Sequence, residues 1–277
     1  MRRSVLLVVI LLTAVGCSGL MQNIGARIVT RQLAEEFDLD DEQTEATRAS
    51  VDRLMAKAPR VIGPRADLIV ATTDRAIAKG LTDRDLIAVW RHVDKLLDEV
   101  VAHIIDEAAP ILATLTDEQI DHAHARFEKR FDKVREKLAK PVDERLEKRQ
   151  DAFVGAIEEW TGDLSIDQEK DLRTYVTRFP DDGAIQLAAD EGRIAEIEQV
   201  LRQHAGAPAV RNILWKAWKE REDWGPDART PADRRAQSRQ TILHVYDLMN
   251  ARQKDHASRH LHELHDKLKH FLGIADS

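Results

Sequence analysis

Apolar residues along this chain recur every three or four positions between charged ones, the spacing of a helix with one buried face. The longest stripe runs Leu86, Val89, Trp90, Val93, Leu96, Leu97, Val100, Val101, Ile104, Ile105, and Pro110 is expected to close it. Ile120, Phe127, Phe131, Val134 and Leu138 form a second stripe, and Val142, Leu146, Phe153, Ile157 and Trp160 a third. Pro141 lies between these two as a first-turn proline or a kink. Further stripes carry Leu172, Val176 and Phe179; Ile185, Ile194, Ile197 and Leu201; Ile242, Val245 and Met249; and Leu261, Leu264, Leu268 and Phe271. Met21 to Phe37 predicts a first helix. Period-two alternation is sustained nowhere, so the pattern predicts an all-α chain: an elongated multi-helix bundle of antiparallel helical hairpins.

The breaks between stripes share a form. Leu39-Asp40-Asp41-Glu42-Gln43, Leu115-Thr116-Asp117-Glu118-Gln119, Leu164-Ser165-Ile166-Asp167-Gln168 and Met249-Asn250-Ala251-Arg252-Gln253 each read apolar, N-cap, two variable residues, Gln. Leu81-Thr82-Asp83-Arg84-Asp85 is a degenerate fifth copy. Each predicts a capping box, in which the N-cap side chain accepts from the N3 amide and the N3 side chain reaches back to the N-cap amide. The preceding apolar residue is placed to staple the first turn, Leu115 against Ile120 and Leu81 against Leu86. The spacing is unequal, which argues against a strict solenoid.

Composition narrows the class. The 277 residues are 43% hydrophobic and 33% charged, with 12 Gly, 8 Pro and 1 Cys, which excludes collagen, low-complexity disorder and a disulfide scaffold. The stretch from Lys219 to Gln240, with Gly225, Pro226 and Pro231, is the most loop-like and reads as a lid or a partial domain boundary near 219–240.

The first residues carry an address. Arg2 and Arg3 precede an apolar run from Val5 to Leu12, and small residues follow before the chain turns polar, as in an export signal. The apolar stretch to Gly16 is well short of the roughly 20 residues that span a bilayer. Ala14-Val15-Gly16-Cys17 resembles the lipobox of bacterial lipoproteins. That resemblance implies a signal peptide over residues 1–16, a diacylglyceryl and palmitoyl modification on Cys17, a tether over 17–20 and a helical periplasmic domain over 21–277. Ser18 after the Cys resembles the signal for outer-membrane sorting in Gram-negative bacteria, so the expected partner is a membrane, reached through the N-terminal lipid.

The order of features, from the lipobox through Phe37 to Gln43, Gly80-Leu81-Thr82, Leu115 to Gln119 and Trp160-Thr161-Gly162-Asp163-Leu164-Ser165, resembles a family of bacterial lipoproteins carrying a domain of unknown function. That family brings no assigned catalytic residues, so the resemblance carries no site over. The Leu-Thr-x-x-Gln segments also resemble those of the Spy and CpxP class of periplasmic helical stress proteins.

Candidate chemistry is sparse. Six of the 11 His lie at 244, 256, 260, 262, 265 and 270. His256 and His260 share one helix face and His262 and His265 another. They read as a solvated surface, a metal site or a pH-responsive face. Trp215, Trp218 and Trp224 beside Lys216, Lys219 and Arg221 read as an interfacial contact, or as cover for a bundle end with Trp224 loosely held. Arg126 to Gln150 mixes basic and acidic residues at helical spacing, which favours a water-facing surface over a nucleic-acid groove. No glycine-rich phosphate loop or nucleophile elbow is present. The expectation is a non-enzymatic, lipid-anchored envelope protein without cofactor, catalytic residue or resident metal. Its partner would be an envelope protein or an unfolded client rather than nucleic acid, and the alternative is a metal- or pH-responsive sensor using the C-terminal His helix.

Overall fold

The computed structural model describes residues 20–274, with side chains from residue 25. Among the described residues it holds ten helices and no strand. They are α1 (Leu20–Phe37), α2 (Asp41–Lys79), α3 (Asp83–Leu112), α4 (Asp117–Leu138), α5 (Val142–Thr161), α6 (Ile166–Val176), α7 (Gly183–Arg202), α8 (Ala207–Lys219), α9 (Pro231–Leu248) and α10 (Ala251–Leu272). At 1.5 Å per residue α2 is about 58 Å long and α3 about 45 Å. These two lengths set the long dimension of the molecule.

All five predicted capping boxes are present, at the starts of α2, α3, α4, α6 and α10, with both reciprocal hydrogen bonds in each. Pro141 is the N-cap of α5, so it separates two helices rather than kinking one. Pro110 does not close α3, which runs on to Leu112. A proline already has the φ of a helix, and only the carbonyl one turn back loses its donor, so two more residues fit. In the same way Pro59 and Pro64 lie inside α2.

Four capping boxes do a second job. The Gln43 side-chain oxygen accepts from the Asp40 amide at 3.1 Å, closing its own box, and also from Gln119 Nε2 at 2.6 Å. The Gln119 oxygen accepts from the Thr116 amide at 3.0 Å and from Gln43 Nε2 at 3.1 Å. Each Nε2 spends its second hydrogen on the carbonyl two residues before the partner's N-cap: Gln119 on Asp38 at 2.7 Å, Gln43 on Thr114 at 3.1 Å. The carboxamides are thus saturated, and both residues are buried. Gln168 and Gln253 repeat the arrangement, 2.9 and 3.1 Å from each other. Their outer hydrogens go to the carbonyls of Leu248 and Asp163, at 2.7 and 3.0 Å. Two helix corners are therefore fastened back to back in each half of the chain: α1–α2 to α3–α4, and α5–α6 to α9–α10.

The Thr82 corner closes its box with Asp85, whose carboxylate has no hydrogen to give, and it stays exposed with no second corner docked. Asp38 adopts φ +50 to turn the chain out of α1, and the Leu39 amide donates back to the Ala34 carbonyl at 3.0 Å.

Apolar packing gathers around the first glutamine pair. Ala109, Leu115, Ile120, Leu201 and Val210 form its buried cluster, flanked by Phe37, Leu39, Leu112, Ile197 and Leu214. The expected staple of Leu115 with Ile120 lies in this cluster. Elsewhere, ion pairs between neighbouring helices report their direction. Arg53 and Lys57 reach Glu107, and Arg65 reaches Glu99, so α2 and α3 are antiparallel. His124 with Glu198 and Arg202 with Asp121 set α4 against α7 in the same sense. Arg211 with Asp106 and Lys219 with Asp98 do so for α8 on α3. His262 with Asp74 and His265 with Asp67 do so for α10 on α2. At the end of α10, Gly63 admits Ile274 so closely that a Cβ there would lie 2.7 Å from the Ile274 side chain.

Removing one glutamine of a pair leaves a buried amide and a buried carbonyl unpaired, at about 1–3 kcal/mol each. Gln119→Ala should lower unfolding stability by about 2–4 kcal/mol, and Gln43→Ala with Gln119→Ala should cost clearly less than the two single losses combined. Urea unfolding of the four proteins checks this; additive losses would contradict the pairing.

Candidate functional site

Cys17, the expected lipidation site, lies outside the described residues. Leu20, the first residue of α1, follows it by three positions.

The histidines of α10 divide: His262 and His270 are exposed, and His256, His260 and His265 are half-buried. His265 is 13% exposed, with Nε2 2.7 Å from Asp67, and His262 lies 3.1 Å from Asp74, so this face of α10 docks on α2. His256 donates through Nδ1 to the Trp160 carbonyl at 3.0 Å, and His260 meets the Trp160 ring edge-on at 4.9 Å, so the other face docks on α5. His244, on α9, lies 2.5 Å from Asp171 and stacks on Tyr175 at 4.0 Å. The two faces foreseen for the helix thus exist, but each is a helix–helix contact. Among the described residues no group of three or more His, Cys, Asp or Glu side chains is arranged to hold a metal ion.

Only residues 220–230 of the loop-like stretch are non-helical, because Thr230 caps α9 and Pro231 opens it. This strap is clamped rather than lid-like. Arg193 donates to the Asp223 carbonyl at 2.9 Å, and Arg234 donates to the carbonyls of Glu222 and Arg229. Arg235 bridges Glu222 at 2.7 Å and Asp94 on α3 at 2.6 Å. Trp224, expected to be loose, lies under the Arg234 guanidinium at 3.7 Å. Trp218 donates to Asp98 at 2.8 Å and carries Arg221 on its face at 3.6 Å. Trp218 therefore holds α8 to α3, and Trp224 holds the strap to α9.

The electrostatics follow from these contacts. The hydrogen bond from Arg235 holds the Glu222 carboxyl below the ordinary range, against its partial burial. Burial pushes the Arg234 guanidinium down, with Glu222 opposing. Burial also pushes the Asp98 carboxyl up, but the hydrogen bonds from Lys219 and Trp218 outweigh it and leave it low. Arg53 holds Glu107 low in the same way, and Arg65 does so for Glu99. At the start of α5, Lys140 from the preceding corner and Lys148 converge on Glu144 and bring it down to about 2. These are scaffold ion pairs.

The basic stretch Arg126 to Gln150 spans the end of α4, the Pro141 corner and the start of α5. Arg126 and Arg130 share Glu36 of α1. Arg135 gathers Glu128, Asp132 and Glu191 of α7. Arg145 reaches Asp181 at 3.2 Å.

The fold is an all-helical antiparallel bundle built on polar fastenings. The model of a family of unknown function, DUF6279, matches residues 35–229, and the chain belongs to that family. The match runs from the end of α1 through the strap; it includes Gln43, Gln119 and Gln168, while Gln253 lies beyond it. No curated protein and no solved structure matches the chain.

Because Glu222, Glu99, Glu107 and Asp98 are more acidic folded than unfolded, the unfolded chain takes up more protons below about pH 4, and stability falls as pH drops through that range. Glu222→Gln removes one of these groups. Its unfolding free energy should be lower near neutrality and flatter on the acid side. Denaturation series at several pH values check this, and an unchanged acid slope would contradict the role given to the Arg235 contact.

Proposed function

We propose that the protein is a lipid-anchored, non-enzymatic component of a Gram-negative envelope, held at the periplasmic face of the outer membrane by acylated Cys17. The observation that carries this reading is the placement of the one Cys directly after Ala14-Val15-Gly16, behind an apolar run too short to span a bilayer. Among the described residues no helix is long and apolar enough to cross a membrane, so attachment would fall to the lipid. Two or more acyl chains on one residue give stable anchoring. A helical bundle fastened at its corners then serves as a stiff arm that keeps its outer faces at high local concentration for a partner in the envelope. A chaperone-like version, in which those faces hold unfolded clients, rests on the Leu-Thr-x-x-Gln likeness to the Spy and CpxP class.

A second reading is favoured by one observation. Three imidazole–carboxylate pairs, His244 with Asp171, His262 with Asp74 and His265 with Asp67, join α9 and α10 to the rest of the bundle. These contacts are the ones through which a pH-responsive C-terminal hairpin would act.

Expression of the full chain and of Cys17→Ser separates the anchored reading from a plain exported protein. The first should fractionate with the outer membrane and carry acyl chains on Cys17 by mass spectrometry. Cys17→Ser should keep its leader and lose the lipid label. An unacylated Cys17 in the purified protein would overturn the proposal.

A further inference from the structure

We propose that the outward face of α4 is a docking surface for the anionic headgroups of the membrane to which the protein is tethered. This rests on the tether reading for its choice of partner and on geometry for its location. The apolar line Phe127, Phe131, Val134 and Leu138 turns α4 toward its neighbours; at 100° per residue Lys129 falls opposite it, and Lys133 and Lys137 step round its flank. All three lysines are exposed, one helical turn apart, about 6 Å from one to the next. They have no carboxylate partner among the described residues, although acids are interleaved with them.

The reason is Arg135. It draws Glu128 and Asp132 round to the side facing α7, where it also takes Glu191. Of the acids between the lysines, Glu136 alone is left beside the stripe. Arg126 and Arg130 share the one carboxylate of Glu36, which leaves a surplus positive charge at the other end of the same helix. On the neighbouring corner Lys140 and Lys148 are occupied by Glu144, so they are not part of the free stripe.

The stripe ends at an apolar prow. Pro141 is exposed, and Val142, the first residue of α5, is 66% exposed where a solvated helix start would carry a polar residue. A row of unpaired cations leading to a protruding apolar corner is the chemistry of a surface that lies on headgroups and dips one side chain among them. Nucleic acid offers the same charge but no apolar boundary for Val142.

The test uses the full acylated chain reconstituted in vesicles of phosphatidylcholine alone or with phosphatidylglycerol. A headgroup-quenched fluorophore is placed through Ala139→Cys, beside the stripe, or through Asp167→Cys, at the start of α6. Quenching at position 139 should appear only with phosphatidylglycerol, should vanish in high salt, and should be lost when Lys129, Lys133 and Lys137 are all changed to Gln; position 167 should stay unquenched throughout. Equal quenching at 139 in both vesicles, or quenching that survives the triple change, would overturn the proposal.

Sedimentation of Cys17→Ser with the same vesicles removes the lipid from the comparison. The triple lysine change should then lower partitioning onto anionic vesicles about 100-fold, at about fivefold per lysine. Equal partitioning with and without the three lysines would overturn the surface even if the anchor is real. A missing acyl group on Cys17 with lysine-dependent partitioning would overturn the tether and leave the surface standing. Matching thermal unfolding of the triple variant confirms that it is folded.

Discussion

Two reciprocal glutamine pairs hold this bundle in register. A carboxamide has two acceptor sites and two hydrogens, and each of these four side chains uses both kinds twice. It closes its own helix start, grips the opposing carboxamide and covers a carbonyl of the facing turn. Burying such a group is costly unless every site is met, and here the cost enforces one geometry, because only two helix starts brought face to face can meet them all. The register of α1 to α4 and that of α5, α6, α9 and α10 are both fixed in this way.

Between those fastenings the helices are long and their buried side chains mostly small or aliphatic, Ala, Val, Leu and Ile. Lateral order comes from interhelical ion pairs set at intervals along antiparallel faces. Each is worth little where exposed, but in number they specify which helix lies against which and in what direction. The strap over residues 220–230 shows the same device at closer quarters. Its carbonyls have no helix to satisfy them, and Arg193 and Arg234 supply the missing donors from either side.

Helices and their starts were legible in the sequence because both depend on local chemistry: a 3.6-residue period and an N-cap with its N3 partner. The pairing of the corners was missed because a capping box explains an N3 Gln without using its two hydrogens. The signal was there all the same. Glu closes such a box as well as Gln does, and a chain with 49 acidic residues that writes Gln at four of five starts is choosing the amide. Asp85, at the fifth start, marks a corner without a glutamine partner, where Arg239 of α9 reaches Asp83 instead. The end of α3 was misplaced because a proline was read as a stop where the last turn tolerates it. The docking of His262 and His265 on α2 was not legible because their carboxylate partners, Asp74 and Asp67, lie nearly 200 residues away in sequence. Trp224 looked loose for the same reason, since its anchor Arg234 belongs to the next helix. Cys17 was legible only as a motif, and its chemistry lies outside the described residues.

The bundle is ordered by saturated polar contacts between its helix corners. That view depends first on the corners being locked as described. Hydrogen exchange of the Gln side-chain amides, followed by NMR, tests the lock directly. The account predicts that the Nε2 hydrogens of Gln43, Gln119, Gln168 and Gln253 exchange far more slowly than those of the other glutamines. Exchange at the rate of exposed carboxamides for either pair would contradict it.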